Sequence, residues 1–304
     1  VTWAKPSSTE AKSWIKKMAM NADKLNYSGI VSYQYGDVLV SAKMEQRDIK
    51  GKKHTRLVYL DGGQGGFIGE DNKVMFMGAK SAKKEKQSKQ LVNSNIQSLP
   101  RRLSSLGDTY RLTMNGQKKV AGRTAVVVKM EPTDPFRYAH KLYIDKQTSL
   151  LLKTETMGDG SVPLERFQFM QVNLNPAKND NFLAAIETTK KAVVSTMNVM
   201  AGSPRNTLDW ELSWVPKGYS LVSSKKDSSS RESCLYTDGM SSFSVYVEPK
   251  TRKFKEGVMR QGASIVVSKS VNLKRKQSVV TVAGDIPITT AERIVRSVRG
   301  VSER

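Results

Sequence analysis

The chain has 304 residues, 38% of them hydrophobic and 26% charged, which is the composition of a globular protein of about two domains rather than of a disordered chain. Fifty Lys and Arg against 28 Asp and Glu leave a net charge of +22, a field that favours anionic partners. Its two histidines and single cysteine rule out an intrachain disulfide and a multi-cysteine zinc site.

Residues 8–23 carry Trp14, Ile15, Met18 and Ala22 at helical spacing and predict a helix lying across a sheet. Strands follow at 30–35, 38–45, 53–59 and 74–77, each bounded by a Gly or Asp turn. The glycine-rich run 62–66 lacks the Lys and hydroxyl residue of a phosphate loop and reads as a hairpin loop. Residues 80–89, with five lysines and one glutamate, read as a solvated loop able to touch an acidic partner or anionic lipid. A short helix is expected at 99–103.

Residues 120–172 are the best-defined part, an antiparallel meander of four strand-like runs beginning at Val120, Phe136, Leu150 and Val162. Its joints are the 145–149 loop and Gly158-Asp159-Gly160, where glycine can supply positive φ. Helical character at 183–194 leads into a small, polar stretch, which predicts a first domain at 1–190, a linker at 191–206 and a second domain at 207–304. In the second domain Trp210, Leu212 and Trp214 alternate on one strand face, 223–231 reads as a polar loop, and strands are expected at 234–237, 242–248, 264–268 and 279–282. Thr289 and Glu292 have the spacing of a capping box ahead of a final helix bearing Ile294, Val295 and Val298.

No residue set has the pattern of a catalytic centre. His54 and His140 sit in strand contexts, Cys234 lacks a local nucleophile signature, and the expectation is no catalytic residue, no metal and no cofactor. No recognition helix, finger spacing or aromatic RNA-binding motif accompanies the positive charge, so nucleic acid is not the expected partner. The first residues carry no apolar signal segment, consistent with a processed N-terminus.

Several short motifs in fixed order resemble one family. In the first domain they are Asn26-Tyr27-Ser28-Gly29, Arg56-Leu57, Leu60-Asp61-Gly62, Val120-Ala121-Gly122-Arg123, Asp134 with Arg137-Tyr138, Leu142-Tyr143-Ile144-Asp145 and Leu150-Leu151-Leu152. In the second they are Trp214-Val215-Pro216-Lys217-Gly218, Leu235-Tyr236-Thr237-Asp238-Gly239, the strand 242–248 and the run 280–287. Together they resemble the MucB/RseB family of periplasmic regulators of envelope-stress sigma factors.

The resemblance implies an α+β fold: a large, curved antiparallel sheet like that of lipoprotein carriers, helices on its concave side, and a smaller C-terminal antiparallel α+β domain. It further implies a periplasmic, non-enzymatic negative regulator that holds the periplasmic region of a membrane-anchored anti-sigma factor, protects it from proteolysis and senses lipid or lipopolysaccharide. The alternative is a periplasmic lipid or lipoprotein carrier, and self-association stays open. A curved sheet under helices leaves an apolar concavity, for which Val31, Tyr33, Tyr35, Met75, Met77, Phe167 and Phe169 are the candidate lipid-pocket residues. Tyr236, Asp238, Gly239, Met240 and Phe243 are the candidates for partner binding, with the linker before Trp210.

Overall fold

The computed structural model describes residues 8–22, 24–49, 51, 53–60, 108–177, 182, 208–227, 231–251, 254–274 and 276–301 in full. Residues 52, 66–68, 73–77 and 193–198 are described as strand backbone. Helix α1 (Ser8–Asn21) is followed by β1 (Tyr27–Tyr35), β2 (Val38–Ile49), β3 (Lys52–Tyr59), β4 (Gly66–Ile68), β5 (Lys73–Met77), β6 (Tyr110–Val120), β7 (Arg123–Pro132), β8 (Ala139–Asp145), β9 (Leu151–Met157), β10 (Pro163–Asn173) and β11 (Val193–Asn198). Among the described residues these strands form one open antiparallel sheet in the order β11-β5-β4-β3-β2-β1-β10-β9-β8-β7-β6. The sheet curls enough for β10 and β6 to approach across the three strands between them.

One face of this sheet is apolar because the register lines up its larger side chains. Val128 opposes Leu142, Leu142 opposes Thr154, Thr154 opposes Phe167, and Phe167 opposes Tyr33. Directly opposed residues share a face. Helix α1 covers one end of it, with Ala11, Ile15 and Met18 against Leu112, Val126, Val128, Leu142 and Ile144. Val31, Tyr33, Tyr35, Phe167 and Phe169 continue as a second cluster with Val40, Ala42 and Met44. Gly29 is fixed by close approach: a Cβ there would lie 2.3 Å from the Gln171 carbonyl oxygen and 2.9 Å from the Phe169 ring.

The second sheet holds β13 (Ser220–Lys226), β14 (Glu232–Thr237), β15 (Ser242–Pro249), β16 (Gly257–Gln261), β17 (Ser264–Leu273) and β18 (Lys276–Gly284), in the order β13-β14-β15-β18-β17-β16. Helix α2 (Ile288–Ser297) packs on β17 and β18 through Ala291, Ile294 and Val295. A small ribbon joins β12 (Trp210–Leu212) to β19 (Val298–Gly300). Trp210 is buried there, and Leu212 and Trp214 pack beside it on the same core, as their alternation predicts.

Several details differ from the expectations. The run from Val120 is two strands, because Ala121 and Gly122 take positive φ (51° and 74°) in a two-residue turn between β6 and β7. Gly158 and Gly160 keep out of the left-handed region, since the loop from Met157 to Pro163 is long enough to reverse the chain without it. The run from Phe136 becomes strand only at Ala139, its first three residues being used elsewhere. Ser220–Lys226 is a strand where part of a polar loop was expected, its backbone paired to β14, and β16 was unforeseen. Thr289 is not a cap: α2 starts earlier, behind Pro287, without a capping side chain. Val193 and Val194 belong to β11 rather than to a helix. The expectations at 62–65, 80–89 and 99–103 lie outside the described residues. Substituting Gly29→Ala should destabilise the chain by about 1–3 kcal/mol, since neither the carbonyl nor the packed ring can yield freely, and urea unfolding checks this.

Candidate functional site

Phe136, Arg137 and Tyr138, at the end of the loop from β7 to β8, all leave the first sheet and enter the second unit. Their neighbour Asp134 shapes the loop, accepting the Phe136 N–H at 3.0 Å and the Arg137 Nε–H at 3.1 Å and Nη2–H at 3.0 Å. The Phe136 ring meets Trp214 edge-on at 5.0 Å, its carbonyl accepts from the Thr290 hydroxyl at 3.2 Å, and the Arg293 guanidinium lies over both rings. Tyr138 donates its hydroxyl to the Ile286 carbonyl at 3.1 Å.

Arg137 is the centre of the contact. Its Nη1 donates to Asp238 Oδ2 at 2.7 Å, and both side chains are 0% exposed. Nη2 also donates to the Lys217 carbonyl, and the guanidinium sits between the Tyr110 and Tyr219 rings at 5.7 and 5.0 Å. Burial works against its charge, but the hydrogen bonds with Asp134 and the Asp238 charge hold its pKa above the ordinary value. Asp238 is locked in turn: Oδ1 accepts from the backbone N–H groups of Met240 and Ser241, each at 2.8 Å, and Oδ2 also accepts from Tyr110 at 3.3 Å. Four polar hydrogens of the guanidinium are therefore used, three on carboxylates and one on a carbonyl. Such a buried pair is maintained only when its hydrogen bonds are complete.

A second contact lies on β10. Glu165 accepts from the Tyr33 hydroxyl at 2.9 Å through Oε2 and from the Ala263 N–H at 3.1 Å through Oε1, joining the first sheet to the turn between β16 and β17. Gly262 in that turn has φ +63°, and a Cβ there would come within 3.0 Å of Tyr35 and of Glu165. Burial, and then the nearby Asp285 carboxylate, push the Glu165 carboxyl up to about 8. The docked form therefore favours protonated Glu165.

The sequence-predicted pocket residues separate into two places. Val31, Tyr33, Tyr35, Phe167 and Phe169 are buried together on the face that carries α1. Met75 and Met77 lie on β5, four strands from β1 in the sheet order, and only their backbone is described. Between α1 and the sheet is a cavity of about 30 Å³ lined by Met18, Tyr27, Met44, Gln46, Phe167 and Phe169 among others. That volume suits a water or two, not an acyl chain.

The predicted partner residues lie close to the junction. Asp238 forms it, Gly239 (φ +92°) turns the chain beside it, and Met240 packs against the cluster under α1. Phe243 is buried in the second core with Tyr236 stacked on it at 5.2 Å. Sequence reasoning quoted Arg137 and Tyr138 only as parts of motifs, read Trp214 also as part of an alternating strand face, and gave Glu165 and Gly262 no role. The signal available for Arg137 was its company, since the motifs around Asp134, Trp214, Asp238 and Ile286 all supply atoms to one contact. Burial pushes the Cys234 thiol up to about 12 and lowers His140 to about 3, leaving both neutral near pH 7.

Comparison with known proteins places these motifs. The MucB/RseB N-terminal domain matches residues 10–197, and the MucB/RseB C-terminal domain matches residues 204–299. The chain belongs to the MucB/RseB family. It is 29% identical over 299 residues to the sigma factor AlgU regulatory protein MucB of Pseudomonas aeruginosa, covering 95% of this chain and 91% of that protein. The structure of the Pseudomonas aeruginosa MucA/MucB complex matches 97% of this chain and 100% of that one, with 27% identity and a TM-score of 0.78. The crystal structure of MucB alone has the same coverage and identity and a TM-score of 0.66.

Two outcomes follow for the junction. Arg137→Ala should cost about 3–5 kcal/mol in urea unfolding, because it strands the Asp238 charge, whereas the double change Arg137→Met with Asp238→Asn, which removes that charge and keeps an acceptor for the Met240 and Ser241 N–H groups, should recover part of that loss. The stability supplied by Glu165 should be full below the ordinary carboxylate range and fall as pH rises from about 4.5 toward 8, because the docked state holds a proton that the free state releases. Glu165→Gln should flatten that window in unfolding free energies measured across it.

Proposed function

We propose that this protein is a periplasmic, non-enzymatic regulator of a sigma factor, acting by binding the periplasmic region of a membrane-anchored anti-sigma factor and sheltering it from proteolysis. The observation that carries this reading is the match of the whole chain, both units in one arrangement, to MucB in complex with MucA at a TM-score of 0.78. The arrangement resembles the complexed MucB more than MucB alone, at 0.66, which supports a binding-competent placement of the two units. Tyr236, Asp238, Gly239, Met240 and Phe243 act in this reading by fixing that placement, with the surface around their turn as the partner's seat. Among the described residues no helix is long and apolar enough to cross a membrane.

Lipid sensing is the second part of the proposal. The face bearing Val31, Tyr33, Tyr35, Phe167 and Phe169 supplies the apolar wall; Met75 and Met77 fall at positions of the opposite face in the register running from β2 to β5. The cavity of about 30 Å³ under α1 is too small for an acyl chain, so in this reading a chain that enters there displaces the side chains lining it. Met18 of α1 and Phe167 share the cavity wall, so occupancy acts on the helix that also packs beside Met240. In this reading lipid acts on the junction by favouring a different placement of α1, which requires that it bind that placement more tightly.

The test is direct. Purified full chain mixed with the periplasmic fragment of its cognate anti-sigma factor should slow cleavage of that fragment by the site-one protease, and added lipopolysaccharide should restore cleavage. Unchanged cleavage at saturating protein would overturn the regulatory reading. The net charge of +22 further predicts that association slows as salt is raised.

A further inference from the structure

Among the described residues, strand β16 is the outer strand of the second sheet, paired on one side with β17. All five of its residues are exposed, including Val258 at 45% and Met259 at 64%. The turn Gly262-Ala263 closes the hairpin on the pair Gln261 and Ser264, and the closing pair of a two-residue hairpin exchanges its hydrogen bonds. Alternation then directs the backbone N–H and C=O of Val258 and Arg260 away from β17, toward the open edge. An open edge of this kind is what an extended peptide uses to add a strand.

Three observations define the occupant. The free backbone groups call for a polypeptide. Residues 250–262 carry five Lys or Arg against one Glu, with Lys255 and Arg260 exposed beside the edge, so the complementary segment is acidic. Val258 and Met259 stand on opposite faces of β16, so that segment has small or apolar residues among its acids. The edge is also held in place: the turn at its end rests on Tyr35 and Glu165 of the first sheet. A strand added here would therefore run toward the junction of the two units.

We infer that β16 is a strand-addition site for an acidic, extended segment of the protein partner, seated against Val258, Met259 and Arg260. The inference rests on the proposed binding of an anti-sigma factor and assigns a surface to it.

Hydrogen exchange of the full chain, with and without the cognate anti-sigma periplasmic fragment, tests it. Binding should slow exchange in residues 257–261, and Val258→Pro should weaken the fragment's affinity about tenfold or more, since it removes an outward N–H while sparing the bonds to β17. The double change Lys255→Glu with Arg260→Glu should weaken it comparably and flatten its salt dependence, and it provides a measurement should the proline variant not fold. A fragment that binds with unchanged exchange at 257–261 and unchanged affinity for the charge-reversed protein overturns the strand-addition site and leaves the regulatory reading intact. A fragment that does not bind at all overturns both. Protection of 257–261 by vesicles of anionic phospholipid, with none by the fragment, would assign the edge to lipid and overturn the peptide.

Discussion

Everything about the mutual placement of the two sheets turns on the burial of Arg137 against Asp238. Taking both charges out of water is costly, and the cost is offset only because Asp134, the Lys217 carbonyl, two backbone N–H groups and Tyr110 complete the hydrogen bonding around them. A small rotation of one unit against the other would break several of these at once. The contact is thus close to all-or-none, and it gives a two-unit chain a defined arrangement. The Tyr110 and Tyr219 rings flank the guanidinium, and both partners of the pair are fully buried.

The Glu165 contact differs in kind. It joins a carboxyl to a single backbone N–H in the β16 to β17 turn, close to a second acid, Asp285, so its strength depends on a proton. The junction consequently combines a fully buried, hydrogen-bonded ion pair with a carboxyl that burial and Asp285 push up to about 8. The turn that Glu165 holds also ends the exposed β16 edge, so events at that edge and at the first sheet share a backbone.

The strands were legible where their chemistry was local. The meander from β7 to β10 follows from β-branched and aromatic runs between polar turns, and α1 from its helical spacing. Asp238-Gly239 was readable as a turn, because Asp accepts the N–H groups two and three residues on. That the same carboxylate also binds Arg137, 101 positions earlier, was not. β16 escaped notice because Gly257 to Gln261 has one glycine and two polar residues in five and is held by its hairpin partner. Thr289 was misjudged because Pro287 already sets the helix start, while the hydroxyl of Thr290 is engaged by a carbonyl in the other unit.

The sequence by itself determined the fold class, the family resemblance and the strand-rich organisation of both halves, since these rest on periodicity, turn chemistry and motif order within short windows. Only the tertiary structure decided that the scattered motifs are one site. Asp134 with Arg137-Tyr138, Trp214, Asp238-Gly239 and Ile286 are far apart in the chain and acquire a common meaning where two sheets bring them within hydrogen-bonding distance. The tertiary structure also decided the state of the apolar face, where side chains suited to a pocket are packed under α1 with room for little more than water. The physical reason is the same in both cases: local pattern sets which side of a strand is apolar, but what that side meets depends on residues distant in sequence.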